Sequence, residues 1–288
     1  MSMMQELCKS CFNLCKKHNF DNTVLQGCVK YEKKTLKEIK KVNITYDCAV
    51  LFSGGLDSTA SLLCAIRKGH KKILCISINY GHKPFIREWE AGENIIKMVR
   101  HVYDVLIHRI KIDMPNVYKQ VISFAGMPKP FIFTGRKMDI KNDGALPHRN
   151  LMLTTEALTV CEILEIKELY VGYGYCDEMG VDMAYDATGE YLRRVKYFFN
   201  SGDDTTHYYR GEGEDNIQII SPMWLESKLQ FIKSIMSGPT QTSILNATWS
   251  CQGAWKKPCG TCRSCQLRKR LAEELRKEGY DAQYNCKA

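Results

Sequence analysis

The chain has 288 residues, 44% of them hydrophobic, and a formal net charge of +9, which suits one main globular domain with appendages. No apolar run reaches membrane-spanning length, and the first residues show no apolar stretch followed by a cleavage site, so the expectation is a cytoplasmic protein with no membrane partner. In that reducing compartment the fourteen cysteines are read as buried thiols, metal ligands or catalytic groups rather than disulfides. The charge is uneven: residues 1–45 carry nine Lys against four acidic residues, residues 251–288 nine Lys or Arg against four, and the middle is close to neutral. Basic ends suit a nucleic acid, an acidic protein or a merely solvated surface, and the charge alone does not choose among them.

Residues 1–45 form a Cys/Lys-rich extension. Cys8-x2-Cys11 has the spacing of half a zinc knuckle, which Cys28 and either Cys15 or His18 would complete. The residues at 8, 11, 15 and 18 also fall three or four apart along one face of a helix, where cysteine packs as a small apolar residue. Both readings stay open. An apolar run at 48–52 then predicts a strand, Ser53-Gly54-Gly55 a tight turn, and Asp57-Ser58-Thr59 the opening of a helix near 58–68 that Gly69 caps. Two glycines at a helix N-terminus let successive N–H groups converge on one anion, and the helix dipole adds partial positive charge there. The stretch lacks the Lys and spacing of a Walker A loop and the third Gly of a dinucleotide fingerprint, which excludes both.

A strand at 72–80, a helix at about 84–101 and a strand at 104–112 follow. Strands alternating with helices predict right-handed crossovers and a parallel sheet covered on both faces. Ligands on such sheets bind beyond the carboxyl ends of the strands, where both the Ser53 turn and Asn79-Tyr80-Gly81 fall. Residues 113–147, broken by Pro115, Pro128, Pro130, Gly126, Gly135 and Gly144, predict a lid, binding loop or interface element. Pro147-His148-Arg149-Asn150 precedes a helix at about 151–165, and a strand at 168–175 carries Gly172 and Asp177 to the same edge. Residues 201–216 are polar, without periodicity, and read as a surface insertion. Near the C-terminus, Cys251-x7-Cys259-x2-Cys262-x2-Cys265, with Gly260 for the turn, has the spacing of a tetrahedral four-thiolate site. Four thiolates close the coordination sphere, so zinc held there is structural; free buried cysteines or an iron–sulfur cluster are the alternatives.

SGGLDS at 53–58 resembles the SGGxDS pyrophosphate loop of the ATP pyrophosphatase (PP-loop) group. With NYGHK at 79–83, PHRN at 147–150, the turn from Gly172 to Asp177, Pro222-Met-Trp224 and TWSC…CGTCRSCQLR at 248–268, the order and spacing from about 47 to 270 resemble the QueC family, 7-cyano-7-deazaguanine synthase. The resemblance implies an α/β fold, a Rossmann-like parallel sheet of the PP-loop type with a C-terminal zinc-binding helical segment. The chain would then divide into the extension 1–45, an ATP-dependent domain 46–245 and a zinc-binding segment 246–288. It implies an ATP site at Leu51, Phe52, Ser53, Gly54, Gly55, Leu56, Asp57, Ser58, Asn79 and Tyr80, with Mg2+ spreading the phosphate charge. Catalytic roles fall to Ser53, Asp57, Ser58, Arg149 and Asp177, substrate contacts to Arg149, Asn150, Asp177 and Asp186, and Zn2+ to Cys251, Cys259, Cys262 and Cys265.

The activity implied is that of an ATP-dependent C–N ligase of queuosine biosynthesis. A 7-carboxy-7-deazaguanine is adenylated, an amine donor gives the amide, and a second activation gives the nitrile. Family members commonly pair, so a homodimer is expected. Two departures stand out. Asn79-Tyr-Gly-His-Lys83 replaces the family's usual Asp-Tyr-Gly-Gln-Arg, and Tyr185-Asp186-Ala187-Thr188 replaces Pro-Asp-Cys-Arg. They leave two competitors: a QueC-like ligase joining a deazaguanine to an amine of a partner protein, and a tRNA-binding or tRNA-modifying PP-loop protein.

Overall fold

Strand β1 (Cys48–Leu51) is buried at all four residues, as a central parallel strand covered on both faces must be. In the computed structural model it lies in the middle of five strands, with β2 (Lys72–Asn79) and β3 (Leu106–Asp113) on one side and β4 (Glu168–Tyr170) and β5 (Gln218–Ile220) on the other. Every pairing is parallel, in the order β3-β2-β1-β4-β5, and Val50 stands opposite Cys75 on β2 and Tyr170 on β4. The structure describes residues 44–114, 149–173, 189–200, 217–223, 228–236, 238–253, 256–284 and 286. Expectations for Cys8, Cys11, Cys15, His18 and Cys28, for the loop from 115 to 147, for Asp177 and Asp186 and for 201–216 lie outside the described residues.

The strand order reverses beside β1. Chain growth runs outward from β1 to β3, then returns to β4 on β1's other flank. The crevice at the carboxyl end of β1 is therefore the switch point, where a doubly wound sheet leaves room for a ligand. Helices α1 (Leu56–Arg67) and α2 (Phe85–Val102) make the first two crossovers, and α3 (Arg149–Ile163) packs on β1 and β4. After α4 (Gly189–Asn200), beside β5, come two short helices, α5 (Lys228–Ile235) and α6 (Pro239–Asn246), and then α7 (Arg263–Lys277).

One apolar core joins Val50, Phe52, Leu62, Ile73, Ile95 and Ile107 of the first half to Phe231, Ile244, Leu271 and Leu275 of the second. Residues Thr45–Ala288 form a single compact unit. Among the described residues no helix is long and apolar enough to cross a membrane.

Alternation of apolar runs located the elements from β1 to β3 within a few residues, and their ends moved for local reasons. Helix α1 starts at Leu56 because Gly55, in extended conformation, is its N-cap. It ends where Gly69 turns with φ +99° and His70 N–H reaches back to Ala65 O at 3.3 Å, the left-handed stop that a glycine permits. Strand β4 ends at Tyr170, short of the expected 175. Val171 still donates to Ile220 O at 2.9 Å, but Gly172 has left the ladder to meet α1.

Candidate active site

The turn from β1 to α1 is a short network closed on itself. Ser58 Oγ donates to Gly55 O at 3.1 Å and accepts from Ser53 N–H at 3.3 Å. With its one proton so committed, Ser58 accepts from Ser53 Oγ at 3.1 Å, and Ser53 Oγ accepts from Gly55 N–H at 3.1 Å. Thr59 Oγ1 donates to Gly55 O at 2.8 Å. The two serines thus shape the loop from within. The first-turn N–H groups of Leu56, Asp57 and Ser58 have no intrahelical carbonyl to reach, which is the geometry that receives an anion.

The two glycines serve different needs. Gly54 adopts φ +88°, and a Cβ there would stand 2.3 Å from Glu88 O and 2.8 Å from Gly92 N, so the loop lies directly on α2. Gly55 has ordinary dihedrals, but a Cβ would press on Ser53 Oγ at 3.1 Å and Trp249 O at 3.3 Å. A third glycine closes the other side. A Cβ on Gly172 would lie 2.8 Å from Asp57 C and Ser58 N, which brings the end of β4 against the first turn of α1.

That contact carries Arg149 and Asn150 into the neighbourhood. Tyr173, next after Gly172, donates its hydroxyl to Asn150 O at 3.2 Å, and Thr154 Oγ1 donates to the same carbonyl at 2.7 Å. Asn150 is buried at the start of α3, and its Oδ1 accepts from Arg149 Nε at 3.3 Å. On the β2 side, Asn79 turns toward β3: Nδ2 donates to Asp113 Oδ1 at 2.8 Å and Oδ1 accepts from Gly81 N–H at 3.1 Å. Tyr80 stacks on His82 with ring centroids 4.0 Å apart, and His82 Nε2 lies 2.8 Å from Glu88 Oε2. A carboxylate therefore does stand beside position 79, supplied by Asp113. The ammonium of Lys111, then the amide of Asn79, hold that carboxyl below its usual range.

Two residues that the sequence did not mark join the loop. Lys228 Nζ lies 2.8 Å from Asp57 Oδ1 and donates to Oδ2 at 3.0 Å, placing a cation at the first turn of α1 from 171 residues away. Trp249 N–H donates to Gly54 O at 3.0 Å, and its indole N–H donates to Cys251 O at 2.8 Å. The phosphate-type loop and the first cysteine of the C-terminal cluster are thus joined through one residue. Lys228 opens α5 and Trp249 lies just ahead of the first cysteine of the cluster; neither carries a local sequence signal of its role.

The four cysteines converge. Their Sγ atoms all lie within 4.8 Å of one another, with Cys259 and Cys265 3.8 Å apart. Four sulfurs about 2.3 Å from one tetrahedral centre stand about 3.8 Å from each other, so the set fits a single ion. The backbone is arranged for thiolates: Cys251 Sγ accepts from Gly253 and Cys259 N–H at 3.3 and 3.4 Å, and Cys259 Sγ from Cys262 N–H at 3.3 Å. At Cys259 burial opposes ionisation, but the N–H groups of Cys262 and Thr261, the Thr261 hydroxyl and Cys251 outweigh it and bring the thiol down to about 6. Burial raises Cys265, whose Sγ lies 3.2 Å from Tyr284 Oη. Beneath the cluster, Arg268 is 4% exposed and donates through Nη2 to Leu245 O at 2.7 Å and, at 3.4 Å, to Thr248 Oγ1. Burial pulls its guanidinium down to about 10, against the opposing influence of Tyr284 and Asp57.

The chain resembles known proteins along most of this length. A 7-cyano-7-deazaguanine synthase of Nautilia profundicola is 27% identical over 227 residues, spanning 76% of this chain and 90% of that protein. The 7-cyano-7-deazaguanine synthase 2 of Desulfitobacterium hafniense is 29% identical over 224 residues, 76% of this chain and 85% of that protein. Among solved structures, a predicted subunit of tRNA methyltransferase from Methanocaldococcus jannaschii is 17% identical with a TM-score of 0.36, covering 82% of this chain and 89% of that one. The family model described as queuosine biosynthesis protein QueC matches residues 47–276, from the first residues of the sheet through the cysteine cluster and most of α7, and the chain therefore belongs to the QueC family.

Proposed function

We propose that the protein is an ATP-dependent C–N ligase that adenylates a 7-carboxy-7-deazaguanine and passes the acyl group to an amine. The observation that carries this reading is the β1–α1 turn, where Gly54 at φ +88° and the Ser53–Ser58 network shape a loop whose first-turn N–H groups have no intrahelical acceptor, beside Asp57 and Lys228. ATP, as its magnesium complex, would set its β and γ phosphates on Ser53, Gly54, Gly55, Asp57 and Ser58. Leu51, Phe52, Leu56, Asn79 and Tyr80 would line the rest of the nucleotide. Fixed donors aimed at a leaving pyrophosphate stabilise the charge that develops as the bond to the α phosphorus breaks. Lys228, held on Asp57, joins them as a point charge.

The chemistry runs in balanced steps. A carboxylate oxygen attacks the α phosphorus and pyrophosphate leaves, giving an acyl-adenylate. The amine nitrogen then attacks the acyl carbon, AMP leaves with the carboxylate's oxygen, and the nitrogen's surplus proton is released. With ammonia the product is the amide; a second adenylation, on the amide oxygen, followed by loss of AMP and protons, gives the nitrile. Arg149 and Asn150, with Asp177 and Asp186, are proposed to hold the deazaguanine and its carboxylate. Cys251, Cys259, Cys262 and Cys265 are proposed to hold one structural zinc, whose spacing suits a single ion better than a cluster.

In this reading residues 46–245 are the ATP-dependent domain, 246–288 the zinc segment and 1–45 an added extension, in a cytoplasmic homodimer. Asn79, neutral and turned to Asp113, favours a second reading in which the amine belongs to a partner protein. Incubation with ATP, 7-carboxy-7-deazaguanine and ammonium, followed by mass spectrometry, separates the two. The amide or nitrile is expected. AMP formed without either small molecule, together with a deazaguanine mass on an added protein, would favour the second reading, and ADP would contradict both.

A further inference from the structure

The wedge between the end of β1 and α2 holds a buried cation that the proposed chemistry does not use. Arg109, on β3, has a side chain only 4% exposed, and its one carboxylate partner among the described residues, Glu93, is 45% exposed and 3.3 Å away. Its guanidinium lies 3.8 Å from the Trp89 ring centroid and 5.2 Å from that of Phe52. Nε donates to Ser77 Oγ at 2.9 Å and Nη1 donates to Trp89 O at 2.8 Å. Ser77 Oγ donates in turn to Phe52 O, the carbonyl that precedes Ser53. Nη2 is buried and has no hydrogen-bond partner among the described residues.

Such a residue is expensive. A buried guanidinium beside a half-exposed glutamate, with one nitrogen unsatisfied, loses hydration that an apolar side chain of similar volume would not. What an apolar side chain lacks is the planar fork, which holds several acceptors in fixed directions at once. Here the fork spans β2 through Ser77, α2 through the Trp89 carbonyl and Glu93, and the end of β1 through the Phe52 ring.

The same turn of α2 is pressed between Arg109 and the loop. A Cβ on Gly92 would stand 2.6 Å from Nη1 and Nη2, while a Cβ on Gly54 would stand 2.3 Å from Glu88 O and 2.8 Å from Gly92 N. Both surfaces against which the loop is set, the Phe52 carbonyl behind it and the 88–92 turn beside it, are therefore held by one guanidinium.

We infer that Arg109 is a positioning residue of the phosphate loop: without touching the nucleotide, it holds Phe52 and the 88–92 turn so that the loop's N–H groups converge on pyrophosphate. This rests on the reading of the loop as a pyrophosphate site. The test is calorimetric binding of pyrophosphate and, separately, of AMP to the full-length protein. Arg109→Met should raise the pyrophosphate dissociation constant about tenfold, as a small misplacement of fixed donors does, while AMP binding holds. Arg109→Lys keeps the charge but cannot span Ser77, Trp89 and Glu93 together, so it should lose pyrophosphate in the same way.

Ser77→Ala removes only the hydroxyl between Arg109 and Phe52 O, and it guards against a variant that fails to fold. Loss of both hydrogen bonds of that hydroxyl should weaken pyrophosphate binding about threefold, with a modest fall in Tm and the fold retained. Wild-type pyrophosphate affinity in Ser77→Ala and Arg109→Lys would overturn the inference alone, as would AMP affinity falling in step with pyrophosphate. A wild-type protein that binds AMP but no pyrophosphate would overturn the reading of the loop, and the inference with it.

Discussion

Asp57 and Lys228 meet at 2.8 to 3.0 Å, and the pair is half open to solvent, which limits what it contributes to stability. Its position matters more, since a lysine beside the first turn of α1 stands where negative charge would grow on a departing pyrophosphate. Lys228→Met is predicted to lower adenylation turnover about a hundredfold, the effect of removing one fixed charge-stabilising group, with little change in Tm. Pyrophosphate-exchange kinetics beside a thermal melt check this, and unchanged exchange would remove Lys228 from the chemistry. Asn79 supports the opposite kind of test. Its amide donates to Asp113, so Asn79→Asp would set two carboxylates against each other. In the native chain Asp113, with its pKa depressed by Lys111 and Asn79, contributes stability that is present above the ordinary carboxylate range and lost as pH falls. In the variant one carboxyl is pushed upward, so the loss of Tm should be largest near neutral pH and shrink on acidification. A Tm deficit that does not shrink as pH is lowered would contradict it.

Strands β2 and β3 and helix α2 were legible because each runs long enough to show its period, eight residues in β2 and β3 and eighteen in α2, while β1, four residues long, was legible as an apolar run ahead of Ser-Gly-Gly. Beyond β4, strand β5 with three residues and helices α5 and α6 with eight each were not, being too short for periodicity to separate from ordinary apolar packing. The loop itself was readable from Ser53 to Ser58, since Gly-Gly ahead of a helix N-terminus is a local signal. Its neighbours Gly92, Lys228 and Trp249 come from three other stretches, and only tertiary contact assembles them. Gly172 was expected at the same edge, but its close approach to α1 was not. Because a Cβ there would meet the Asp57 and Ser58 backbone at 2.8 Å, Gly172→Ala must push α1 or β4 aside. A destabilisation of about 1–3 kcal/mol is predicted, along with loss of ATP binding, by denaturant unfolding and calorimetry. An Ala variant with native stability and native affinity would show that the contact is slack.

The C-terminal cysteines and the loop belong to one structure. Trp249 bonds Gly54 on one side and Cys251 on the other, Arg268 of α7 pins the Leu245 carbonyl, and Leu271 and Leu275 share the core of the sheet. Metal binding at such a site is coupled to folding, so Cys259→Ser, or treatment of the native protein with a strong chelator, should lower Tm and weaken ATP binding together. Elemental analysis of the same samples should show the metal lost; ATP affinity unchanged after metal loss would uncouple the two sites. Family membership covers this entire assembly, from residue 47 to 276, and the adenylation chemistry proposed for it makes one demand on the atoms. When 7-carboxy-7-deazaguanine labelled with 18O in its carboxylate is turned over with unlabelled ATP and ammonium, each amide formed should place one 18O in AMP. Label appearing in inorganic phosphate beside ADP, or AMP released without label, would contradict the account.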